Sequence, residues 1–159
     1  HAAELVEGAG GWLNALHDNR KVRKLLAKNQ QKILHRYPKL YLGYIFLQLQ
    51  NNEVAEAVQA FQTVLEIFEV DLDAPISAEE MTENDLSLDC HMLWMLLGIY
   101  EDRPLKKQDL NVQAALRTHA GAMSPLAQAT QVNLLALNHF KLGFLSKAHS
   151  LSLDAYQRF

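Results

Sequence analysis

A chain of 159 residues, 49% hydrophobic and 21% charged, with a net charge of −3, predicts one compact domain with a sizeable core. No apolar run reaches the roughly 18 residues of a membrane span, so no membrane partner is expected. A single cysteine, Cys90, excludes an internal disulfide, and with no signal peptide the expected location is the cytoplasm.

The chain starts on His1, not Met, and reads as an excised piece of a longer multidomain protein. Residues 2–7 form a short helical run closed by Gly8-Ala9-Gly10-Gly11. Those glycines mark a helix end: a phosphate-cradling loop needs Lys-Ser or Lys-Thr after the last glycine, and Trp12 follows. Trp12, Leu13 and Leu16 restart an apolar face. Asp18 or Asn19 can cap the next helix, whose buried side is Val22, Leu25 and Leu26. Ile33, Leu34 and Tyr37 add a further turn that Pro38 ends.

The stretch 38–68 is the organising element. Two apolar-rich runs of helical length are separated by Asn51-Asn52. Leu40, Tyr44, Phe46, Leu47 and Leu49 in the first run, and Val54, Ala57, Val58, Phe61, Val64, Leu65 and Phe68 in the second, predict a wide stripe on one face of each helix. A break this short makes the helices antiparallel. One such hairpin cannot bury both faces, so copies on either side are expected.

After Phe68 the chain turns acidic and loop-like, and Ser77 with Glu80 offers a capping box for a short helix near Ala78. Residues 88–100 are strongly apolar up to the stop at Pro104, and 107–120 carry Leu110, Ala114, Leu116 and Ala120 on a helical face ended by Gly121. Ser124-Pro125 starts a helix through Val132, Leu135, Leu137 and Phe140 to Gly143. The last helix, from about Leu145, shows Ala148, Leu151, Ala155 and Phe159 and has no stop signal. It predicts an exposed apolar edge that another repeat would cover.

Charge is unevenly spread. Residues 20–39 hold eight of the fifteen Lys and Arg and no acid, whereas 40–102 hold thirteen of the eighteen acids and no Lys or Arg. Two solvated faces that attract each other explain this. A nucleic-acid patch is the competing reading. The basic stretch offers one aromatic residue, Tyr37, so no direct DNA contact is expected.

Three segments match the tetratricopeptide pattern in part, in which large residues fill the gap between helices and small ones let them approach. Trp94-x2-Leu97-Gly98 fits its first helix and Ala57-x3-Phe61 its second. Tyr41 lies 16 residues before Ala57, and Val132, in Val132-x2-Leu135-Ala136, lies 16 before Ala148. The expected fold is an all-α, right-handed solenoid of three to four antiparallel hairpins. The 91 residues from Ala57 to Ala148 exceed two repeats of about 34, which assigns the excess to insertions at 69–87 and 101–108. A longer-repeat solenoid of the HEAT type is the alternative.

This register sets the inward-facing positions of stacked first helices: Lys39, Leu42 and Phe46; Met92, Met95 and Ile99; Thr130, Asn133, Leu137 and Lys141. The resulting groove, mixed polar and apolar, suits a small inducer or a peptide. The competing reading makes several of them packing residues under further repeats. No catalytic or metal site is expected. Cys90 and His91 are adjacent and diverge by about 100° on a helix, and no nucleophile elbow is present.

Gly8-Ala9-Gly10-Gly11-Trp12, Arg36-Tyr37-Pro38-Lys39-Leu40, the hairpin LQLQNNEVAEAVQAF, Tyr100-Glu101-Asp102-Arg103-Pro104-Leu105, and Asn133-Leu134-Leu135 followed by LGFLSKAHSLSLDAY occur in that order. With them the chain resembles the helical, tetratricopeptide-like sensor region of the MalT-like, LuxR-type transcriptional regulators. The resemblance implies a large cytoplasmic activator with an ATPase module before this region and a DNA-binding helix-turn-helix after it. Its sensor takes up an inducer, which with ATP promotes self-association. No GxxxxGK[ST] occurs here, so no cofactor is expected in this piece and ATP would bind a separate domain. The expected partners are a small inducer or a peptide, and other domains of the same regulator.

Overall fold

The structure, a computed structural model, describes residues 2–8, 24, 30–74, 86–104, 106, 109, 113, 118 and 125–158. Among these residues all regular structure is helical: α1 (Ala2–Gly8), α2 (Gln30–Arg36), α3 (Pro38–Gln50), α4 (Val54–Ile67), α5 (Leu86–Tyr100), α6 (Pro125–Lys141) and α7 (Leu145–Arg158). None is long and apolar enough to cross a membrane. The helix expected near Ala78 lies outside the described residues, as do those after Asp18 and over 107–120 except at Lys24 and at Asp109, Gln113 and Thr118, which are helical. Contacts divide the chain into two units, His1–Asp71 and Leu72–Phe159.

In the first unit Pro38 opens α3, where its missing N–H is no loss. No side chain of the neighbouring Tyr37 caps this end. Instead Glu7, from α1, accepts from the backbone N–H of Lys39 at 3.0 Å and of Leu40 at 2.7 Å. A carboxylate here satisfies two orphan donors and faces the positive end of the helix dipole. Helix α4 is amphipathic. Ala57, Phe61 and Val64 are buried, while Glu56, Gln59, Gln62 and Glu66 face solvent.

Helix α3 departs from the expected single stripe. Ten residues, from Lys39 to Leu49 with Tyr44 excepted, are buried. Tyr41 and Ile45 fill the side that the stripe left open, and a helix apolar all round is buried all round. Helix α5, in the second unit, behaves the same way, with ten buried residues that include Asp89 and His91.

Helices α6 and α7 form the most extensive helix pair of the second unit. Each buries alanines seven residues apart, Ala129 and Ala136 in α6, Ala148 and Ala155 in α7. Small side chains at that spacing suit closely approaching axes.

Four helices end in the same motif. Asn52, Glu69, Asp102 and Gly143 sit at positive φ, between 52° and 80°. The next N–H, of Glu53, Val70, Arg103 and Phe144, bonds back five residues, to the carbonyls of Gln48, Leu65, Gly98 and His139. This left-handed closure satisfies carbonyls that the helix end leaves open and turns the chain sharply.

Candidate binding surface on the helical hairpins

The expected groove residues belong to two units, and each set stands by itself. In the first unit Lys39, Leu42 and Phe46 are all buried, Leu42 completely. In the second, Met92, Met95 and Thr130 are buried, and Ile99 is half-buried. These burials make Leu42, Phe46, Met92 and Met95 packing residues. Asn133 and Leu137 are exposed on α6, with Leu137 at 38%.

Lys141 is half-buried and engaged. Its Nζ donates to the carbonyls of Gly98 at 3.1 Å and Arg103 at 2.9 Å, and pairs with Asp102 Oδ1 at 3.1 Å. The last turn of α6 is thereby tied to the end of α5. Lys141 is a cap for open carbonyls before it is a ligand contact.

Arg103 secures the same corner. Its guanidinium carbon lies 3.7 Å from the centre of the Trp94 ring, and Nη2 donates to the Trp94 carbonyl at 3.1 Å. Asp109 Oδ1 is 3.6 Å from Nη2, and Glu101 Oε2 is 3.8 Å from Nε. Asp109 also accepts from the Lys106 N–H at 2.7 Å. The guanidinium occupies the space beside Gly98, where an added Cβ would stand 2.5 Å from Nη2. Trp94-x2-Leu97-Gly98 therefore has a local purpose: its glycine makes room for an arginine.

What stays open is a strip on the α6–α7 hairpin. Phe140 is 64% exposed, Phe144 59%, Leu145 61%, Leu153 52% and Tyr156 80%, and Leu142 is exposed in the turn. On α6, Asn133, Leu137 and Phe140 share an arc of about 60° at 100° per residue. On α7, Leu145, Leu153 and Tyr156 share an arc of about 80°, roughly 100° round from Ala148 and Ala155. Sequence reasoning found Asn133 and Leu137 but missed the α7 residues. The signal was available: α7 has two apolar faces, and a two-helix hairpin uses one.

An open depression of about 520 Å³ borders the strip, lined by Gly143, Phe144, Leu145, Ser146, Lys147 and Ser150. Lys147 and His149 are exposed, and residues 110–153 contain no Asp or Glu. His139 donates from Nδ1 to the Leu135 carbonyl at 2.8 Å and lies 6.2 Å from the Phe144 ring, which braces the turn. Cys90 is buried, and no group of three or more His, Cys, Asp or Glu among the described residues is placed to hold a metal ion.

Comparison with known protein families, with curated proteins and with solved structures finds no match. Among the described residues the protein is all-α, and four of its seven helices end in a left-handed turn.

Proposed function

We propose that the chain is a protein-interaction module built from tetratricopeptide-like helical hairpins in a right-handed solenoid. Following the resemblance to MalT-like regulators, it is the regulatory part of a larger transcriptional activator. It controls self-association and DNA binding that reside elsewhere in that protein. The observation that carries this reading is the apolar strip on α6 and α7. Five side chains there are each more than half exposed (Phe140, Phe144, Leu145, Leu153 and Tyr156), and clustered exposed apolar surface marks an interaction site. The recurrent turn supports the repeat architecture. A second reading, a small effector, is favoured by the depression at the start of α7, whose volume falls in the range of small-molecule sites.

A thermal-shift screen of helical peptides against metabolites separates the two. A partner present at 100 times its Kd stabilises by about 2.7 kcal/mol, a readily visible rise in Tm. Saturable stabilisation by peptides is expected. Stabilisation by a sugar or small acid alone would replace this reading with the effector one.

A further inference from the structure

We draw no further inference here: the strongest candidate, the exposed apolar face of the α6–α7 hairpin formed by Phe140, Leu145, Leu153 and Tyr156, carries none because it is the surface already described and nothing in the structure shows what covers it.

Discussion

Replacing Gly98 by alanine should change sign with its background. In the wild type the new Cβ would stand 2.5 Å from Arg103 Nη2 and 3.1 Å from its guanidinium carbon, so the side chain must leave. Leaving breaks the stack on Trp94, about 1 kcal/mol, and the charged hydrogen bond to the Trp94 carbonyl, about 2 kcal/mol. It also takes Arg103 away from Asp109, which is only 2% exposed, and raises the cost further. Against this, alanine in a helix interior gains about 1 kcal/mol over glycine. Gly98→Ala should therefore destabilise the second unit by about 2 kcal/mol. In an Arg103→Ala background the three atoms nearest the methyl group, all from the guanidinium, are gone, and the same change should stabilise by up to about 1 kcal/mol. Urea unfolding of the four proteins of the cycle, followed by circular dichroism and by Trp94 fluorescence with Trp12 replaced by Phe, measures the coupling. An effect of the same sign in both backgrounds would refute the account of Gly98 as room for Arg103.

The remaining expectations use the same unfolding assay. Glu7→Ala should cost about 1–2 kcal/mol, because two donors at the start of α3 lose their carboxylate; an unchanged midpoint would mean that water replaces it without loss. Gly143→Ala should destabilise and Glu69→Gly should stabilise, each by about 1 kcal/mol, since both positions are left-handed and the space around Gly143 is empty, so only backbone preference differs. Equal signs would sink the shared-turn assignment. Lys141→Ala should destabilise by about 1–2 kcal/mol through its lost carbonyl bonds, and Asn133→Ala, on the open face, should leave stability unchanged. Burial first, and then the neighbouring Tyr44, hold the Tyr41 hydroxyl above its ordinary pKa of 10.0. The raised folded value means both states are protonated below about pH 10, while above it the unfolded chain ionises first. Stability should then fall as pH rises through that value, and Tyr41→Phe should lessen the fall; an identical alkaline profile in the variant would remove Tyr41 as its source.

Hairpin turns were legible where the residue at positive φ is one that tolerates it. Asn52 and Gly143 both advertise a left-handed residue, and the helices on either side of each fall where the sequence places them. Glu69 and Asp102 carry no such mark. An acidic residue in an acidic stretch looks like ordinary surface, so two of the four equivalent helix ends stay hidden until the backbone is seen. Burial was legible only to the extent that a helix has one side to hide. For α4 the stripe works: Ala57, Phe61 and Val64 are buried, Val54, Val58, Leu65 and Phe68 half-buried, and Glu56, Gln59, Gln62 and Glu66 face solvent. For α3 and α5 it fails, because apolar residues occur on every side and periodicity then carries no direction. The same holds for the expected groove, whose α3 and α5 positions Lys39, Leu42, Phe46, Met92 and Met95 are buried. Its positions on α3 and α5 came from helices whose neighbours decide which face is open, whereas on α6 Asn133 and Leu137 do lie exposed. Much of the open surface lies on α7, a helix with a polar majority. There a few large apolar side chains, Leu145, Leu153 and Tyr156, fall outside the arc that Ala148 and Ala155 already use. An apolar residue off the packing arc of an otherwise polar helix therefore points to a partner more directly than one on an apolar helix does.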